Sequence, residues 1–256
     1  MIVYTCQPDF TSMLTCIYYA WASKEGHRNI RLETEPIGQM NIFDEYRHVD
    51  GELDKAVSVS DAVRYKISQY FYREVLGYAG YYESDVLDNI YRMLLLGFRF
   101  GNAALDMYQY EPVMRSRAIR KSYSNEVCRF KEILRFHEVR KSLYIAHIEP
   151  KSRVVEALGA AFTDRMPSEH WMIVDDIHLE AVIHPKNEEY YLRQLTSDEL
   201  AILLQTEKEN DEYTDMWKVF FDNIAIKERE NPSYQRNSFP IWARKHAVEF
   251  ESKDKI

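Results

Sequence analysis

The chain has 256 residues, a formal net charge of −8, 46% hydrophobic residues and only 8 Gly and 8 Pro. That is enough apolar material for one large domain or two small packed ones, and too little Gly and Pro for a disordered tail. The acidic balance excludes a protein that coats nucleic acid indiscriminately, because such binding needs a dominant positive field.

The N-terminal part reads as helix-rich. Met1-Ile2-Val3-Tyr4 enters a short predicted strand, Ile2 to Thr5, without the charged and apolar regions of a secretory leader, so a cytoplasmic protein is expected. A helix follows with Asp9 as N-cap and Phe10, Leu14, Ile17 and Trp21 on one face. Extended segments are predicted around Ile30 to Glu33 and Tyr46 to Val49, then a helix capped by Ser60 with the stripe Val63, Ile67, Tyr70 and Phe71. A longer helix is predicted from Val86 to about Tyr108, where Gly97 and Gly101 leave room for a close neighbour. Within it Leu94-Leu95-Leu96 is soon interrupted by Arg99, and no apolar run reaches the roughly 20 residues of a membrane span.

A soft boundary is placed between residues 114 and 115, the second part packed on the first. Around Glu132 the period changes. Ile133 to Val139 and Leu143 to Ile148 read as strands, Val154 to Phe162 as a helix, and Trp171 to Val174 with His178 to His184 as a hairpin around Asp175-Asp176. Tyr190 to Leu195 adds a strand, Thr196 and Glu199 form a capping box, and a long amphipathic helix is predicted near the C-terminus, over Trp217 to Glu230. The fold class is therefore α+β: a helix-rich part packed on an antiparallel sheet with a C-terminal helix.

Candidate chemistry is thin. Cys6, Cys16 and Cys128 lack CxxC spacing, which implies reduced thiols and excludes an iron–sulfur cluster held by this chain alone. His178, Glu180 and His184 share one face of a predicted strand, but His178 and His184 are on the order of 20 Å apart and cannot ligate one metal. His137 and His147 are candidate bases that no nucleophile or metal motif selects. No ligand set has metal spacing, no Walker loop or dinucleotide fingerprint is present, and neither metal nor cofactor is expected. The charge is uneven, however. Arg115, Arg117, Arg120, Lys121, Arg129, Lys131, Arg135, Arg140 and Lys141 face only Glu126, Glu132 and Glu138 across that segment. Arg117, Arg120, Lys121, Arg129 and Arg135, with Phe136 as a stacking face, form the nucleic-acid candidate. The same residue types also make a solvated helix face and a buried aromatic corner. Arg229, Asn231, Gln235 and Arg236 suit base recognition and helix termination equally.

The C-terminal run from Trp217 to Arg236, "WKVFFDNIAIKERENPSYQR", carries a resemblance. So do Tyr19 to His27 with "AWASKEGH", Leu96-Gly97-Phe98, the Phe130 to Glu138 stretch with Leu134-Arg135-Phe136, and Phe162-Thr163-Asp164-Arg165-Met166-Pro167. Across nearly the whole chain it resembles a bacterial family of DNA metabolism or DNA repair proteins, a domain of unknown function. Members are typically encoded beside a DNA-repair radical-SAM protein, and in others the domain is fused to a uracil-DNA-glycosylase-like domain. Family members often carry His near the positions of Cys128 and Ala161 and Gly near Glu132; this chain departs at all three, which puts catalytic carry-over in doubt.

The resemblance implies an accessory protein of DNA metabolism that acts with a radical-SAM partner and binds DNA, the partner, or both. The iron–sulfur cluster and S-adenosylmethionine would belong to the partner alone. Lys218, Arg229, Asn231, Gln235 and Arg236, on the polar side and tail of the C-terminal helix, are the expected partner contacts. Two alternatives stay open: a stand-alone nucleic-acid enzyme of nuclease or glycosylase type, and a structural interaction module. Oligomeric state, DNA form and lesion are not specified by the sequence.

Overall fold

A computed structural model describes residues 1–140, 142–206, 231, 233, 236 and 239–246. The chain divides into two compact units, Met1–Ser124 and Asn125–Ile256. The division falls inside helix α5 (Glu111–Ile133), and the boundary expected at 114/115 lies earlier in the same helix.

In the first unit β1 (Ile2–Cys6) is the centre of a three-stranded sheet, with β2 (Ile30–Thr34) and β3 (Glu45–His48) on either side, both parallel to it. Parallel neighbours need a crossover, and α1 (Phe10–Ala22) supplies the one from β1 to β2. Its expected cap is present: Asp9 Oδ1 accepts from the Ser12 amide at 2.9 Å. The next helix, α2 (Leu53–Lys66), begins earlier than Ser60, which lies in its interior. The predicted Val63 to Phe71 stripe is split, because Ser68 Oγ accepts from the Phe71 amide at 2.9 Å and starts α3 (Gln69–Leu76). Helix α4 (Val86–Phe100) stops short of its predicted end, where Gly101 takes φ 62° and a 3₁₀ turn runs to Asp106. Leu14, Ile30, Leu32, Phe71, Leu87, Ile90 and Leu94 form the core between sheet and helices.

The second unit holds a five-stranded sheet in the order β4 (His137–Arg140), β5 (Leu143–Ile148), β6 (His170–Asp175), β7 (Glu180–His184), β8 (Tyr191–Gln194). The strand expected from Ile133 starts later because α5 runs on through Ile133. The sheet is not wholly antiparallel as the sequence reading has it: β5 and β6 are parallel. The reason is α6 (Val155–Arg165), which carries the chain back between them. On its side of the sheet Phe162 packs edge-to-face on Trp171 with ring centroids 6.4 Å apart. The opposite face of the sheet offers Ile145, Val174 and Ala181, against which Leu200 and Leu203 of α7 (Ser197–Thr206) pack. The predicted capping box opens α7: the Glu199 amide donates to Thr196 Oγ1 at 3.2 Å and the Thr196 amide to Glu199 Oε2 at 2.9 Å. The helix predicted over Trp217 to Glu230 lies outside the described residues. No described helix is long and apolar enough to cross a membrane.

The close neighbour expected at Gly97 is Phe71. A Cβ at Gly97 would fall 2.4 Å from Phe71 Cζ and 2.9 Å from Ile67 Cδ1, and Phe71 is fully buried. Overpacking of this kind costs about 1–3 kcal/mol, against about 1 kcal/mol of helix propensity gained by Ala. Gly97→Ala is expected to destabilise the protein by about 1 kcal/mol, read as a lower urea midpoint at unchanged m-value.

Candidate functional site

Parallel pairing of β5 with β6 sets Ile148 opposite Asp175. The next residue on each strand, Glu149 and Asp176, therefore leaves the same end of the sheet side by side, and the Asp176 amide donates to the Ile148 carbonyl at 3.0 Å. His147 lies two residues before Glu149, so the alternation of a strand puts both on one face. His147 Nδ1 sits 2.8 Å from Asp176 Oδ1, with both side chains almost fully buried.

The third contributor comes from the far end of the chain. A 3₁₀ turn, Ile241–Ala243, leads to His246, whose Nε2 is 3.3 Å from Asp176 Oδ2 and 3.9 Å from Glu149 Oε1. The His147 and His246 rings are 5.8 Å apart. Lys245 makes an ion pair with Glu149. One ligand-type atom from each of Glu149, Asp176 and His246 lies within 4.8 Å of the other two. A cavity of about 10 Å³ opens here, lined among others by Arg135, His147, Glu149, Trp242, Lys245 and His246. That is room for about one water or one ion, not for an organic substrate.

Burial alone would push the Asp176 carboxyl up. The hydrogen bond from His147 and the imidazole of His246 3.3 Å away together outweigh it and hold the group below the ordinary aspartate range. Asp176 is therefore ionised at neutral pH and accepts from His147 Nδ1–H, which leaves Nε2 as the outer nitrogen of that ring. That nitrogen is buried and has no hydrogen-bond partner among the described residues.

The strand end is held by a buried carboxylate on α5. Glu126 Oε1 accepts from the amides of Lys151 at 2.7 Å and Ser152 at 3.2 Å, and Oε2 accepts from Ser152 Oγ at 2.7 Å. Nearby, Asp175 closes the β6–β7 turn: Oδ1 accepts from the amides of Ile177 and His178, both at 3.0 Å, and Oδ2 lies 2.6 Å from His178 Nδ1. The common strand face expected for His178, Glu180 and His184 is not formed. His178 belongs to the turn, Glu180 pairs with Arg153, and His184 is buried with its ring stacked 4.8 Å from Trp171. Burial raises the Glu180 carboxyl despite the Arg153 charge.

The nucleic-acid candidates are dispersed among several environments. In the first unit Arg117 and Lys121 are exposed one helical turn apart on α5, and Arg120 pairs with Glu74. The Arg117 guanidinium lies 5.3 Å from the centre of the Tyr108 ring and donates to its hydroxyl at 2.9 Å. In the second unit Arg129 stands over Trp242 at 5.6 Å, while Arg135 donates to the carbonyls of Glu132 and Leu134. Phe136 packs edge-to-face with Phe162 at 5.3 Å and Trp171 at 6.2 Å, the buried-corner reading of that ring. Of the partner candidates, Asn231 and Arg236 are exposed; Lys218, Arg229 and Gln235 lie outside the described residues. Cys6 and Cys16 are buried free thiols and Cys128 an exposed one.

Sequence spacing missed the His147, Glu149, Asp176 and His246 group because its members come from three distant segments. The available signal was the pair of acidic residues directly after strands β5 and β6. Nothing in the sequence announces His246.

A profile of a family described as a domain of unknown function, DUF4130, matches residues 84–249, which include all four of these residues and the basic stretch of α5. No curated protein matches the chain.

Glu126→Ala would leave two backbone amides and a hydroxyl without their buried acceptor. A loss of about 2 kcal/mol in unfolding free energy is expected, because hydrogen bonds to a charged group are the stronger kind. Chemical denaturation checks it, and Lys151 and Ser152 should lose amide-exchange protection first.

Proposed function

We propose that this chain, which belongs to the DUF4130 family of domains of unknown function, is a bacterial cytoplasmic accessory protein of DNA metabolism and repair. In this reading it holds single-stranded or extruded nucleic acid and works beside a radical-SAM enzyme. The observation that carries the nucleic-acid part is the exposed group at the start of α5. Arg117 is held at Tyr108 by a hydrogen bond to its hydroxyl with the guanidinium 5.3 Å from the ring centre, Lys121 follows one turn later, and Tyr110 and Met114 on the same segment are exposed. A fork of donors on an aromatic face, with a second cation next to it, suits a phosphate and an unstacked base together. The acidic average of the chain then works in its favour, confining attraction to this surface.

The partner part is supported by the sequence resemblance, with the exposed Asn231 and Arg236 as its described contacts. The iron–sulfur cluster and S-adenosylmethionine would be the partner's. A second reading, a nucleic-acid enzyme in its own right, is favoured by one observation: imidazoles and carboxylates converge at His147, Glu149, Asp176 and His246.

Fluorescence anisotropy with a labelled single-stranded oligonucleotide and its duplex tests the binding surface. The double variant Arg117→Glu, Lys121→Glu is expected to bind the single strand at least tenfold more weakly. Its salt slope should be shallower by about 1.4, since each phosphate contact on a single strand contributes about 0.7. Equal affinity and slope in variant and parent would exclude this surface. Co-purification with a radical-SAM protein of the kind implied by the family resemblance is expected to yield a complex that Arg236→Ala weakens. Failure to form that complex, together with cleavage or modification of a nucleic acid by this chain alone, would replace the accessory reading by the enzyme one.

A further inference from the structure

We propose that Glu149, Asp176 and His246 form a binding site for one divalent first-row transition ion, with His147 as the residue that positions Asp176. The inference is independent of the nucleic-acid surface on α5 and uses none of its residues.

The donor set argues first. One imidazole nitrogen and two carboxylate oxygens are the ligands that zinc, manganese and ferrous ions share, and three protein ligands leave a position for water. Distance argues second. With metal–ligand bonds of about 2.1 Å, ligand atoms around a tetrahedral ion are about 3.4 Å apart. The structure holds His246 Nε2 3.3 Å from Asp176 Oδ2 and 3.9 Å from Glu149 Oε1, with all three ligand atoms within 4.8 Å of one another, so side-chain adjustments of about an ångström or less per ligand would close them on an ion. Size argues third, since a cavity of about 10 Å³ admits one small guest.

His147 is the independent observation. Its side chain is 1% exposed, it lines that cavity, and its Nε2 has no hydrogen-bond partner among the described residues. The other ring nitrogen is engaged with the non-liganding oxygen of Asp176 at 2.8 Å. This is the arrangement by which an outer imidazole fixes a ligating carboxylate. An ion carrying a bound water would give Nε2 the partner it lacks.

Lys245 is the competitor. Its ammonium pairs with Glu149 from an exposed position, the side chain being 64% exposed. Binding of an ion through Glu149 must displace it, which gives the site a signature that a chance histidine on the surface would not have.

The full-length protein, stripped with EDTA and dialysed, is titrated with Zn²⁺ and with Mn²⁺ by calorimetry, and the complex is checked by elemental analysis. The expected result is one ion per chain. Glu149→Gln and His246→Gln should each weaken binding more than tenfold. His147→Gln, which removes only the positioning contact, should weaken it by about 10–100-fold. Lys245→Ala should tighten it several-fold. Circular dichroism confirms the fold of each variant; if a ligand variant does not fold, Lys245→Ala carries the test. No stoichiometric ion with either metal, undiminished affinity in folded Glu149→Gln and His246→Gln, or no tightening in Lys245→Ala overturns the assignment.

Discussion

The chemistry of the second unit depends on the direction in which β5 meets β6. Because the two run parallel, the ends of both strands lie at one edge, and the residues that follow Ile148 and Asp175 are neighbours. Had the pair been antiparallel, the β5 end would lie beside the start of β6, and Asp176 would be about 20 Å away at roughly 3.3 Å per residue. Glu149 and Asp176 would then have no common ligand. Parallel pairing demands a crossover, and α6 provides it by burying Val155, Leu158 and Phe162. Gly159 lets that helix approach closely: a Cβ there would fall 2.6 Å from Val182 Cγ2. The cluster is thus a consequence of packing on the far side of the sheet, where none of its own residues lie.

This explains which parts were legible in the sequence. Local signals survive folding: the Asp9 cap, the Thr196 and Glu199 box, the strand from Leu143 to Ile148 and the Asp175-Asp176 hairpin each rest on contacts within a few residues. Strand direction is not local. The stretch between β5 and β6 reads as one helix whether the chain returns parallel or antiparallel, so the antiparallel reading had no local error to reveal it. The first sheet failed in the same way, since Ile30 to Thr34 and Glu45 to His48 were visible as extended segments but their parallel pairing on β1 was not. Ser60 misled for a different reason. A good capping residue is also tolerated inside a helix, and the apolar stripe gave no weight to the break at Ser68.

Charge counts need the same correction. The nine basic residues between Arg115 and Lys141 do not make a surface of nine charges. Arg115 is held bidentately by Asp85 at 2.6 and 2.7 Å and pairs also with Glu83, fixing the entry to α5. Arg120 is committed to Glu74. A buried network completes the anchoring, with the Tyr78 hydroxyl joining Ser116 at 2.8 Å and Asn89 at 3.1 Å, and Asn89 donating to the Pro112 carbonyl at 2.9 Å. Helix α5 is therefore clamped on one side by charges that the sequence adds to the basic total, while Arg117 and Lys121 are presented on the other.

The carboxylate cluster follows the opposite logic, since its charges are enclosed. Glu149 lines a cavity of about 10 Å³ with Asp176 adjoining it through His147 and His246, and Lys245 returns one positive charge from an exposed position. A buried charge without compensation is expensive, and hydrogen bonds from imidazoles reduce that cost without cancelling the charge. His147 does this at one oxygen of Asp176, and His246 Nε2 approaches the other at 3.3 Å. Arg135 and Lys245 both line the cavity, so a divalent cation would bind here by taking Glu149 from Lys245, through donor atoms already within 4.8 Å of one another. A purely structural ion pair would have needed one carboxylate and one imidazole. The second carboxylate, the second imidazole and the space between them are what distinguish this group from the Asp175 and His178 pair beside it, whose oxygens are all consumed in closing a turn.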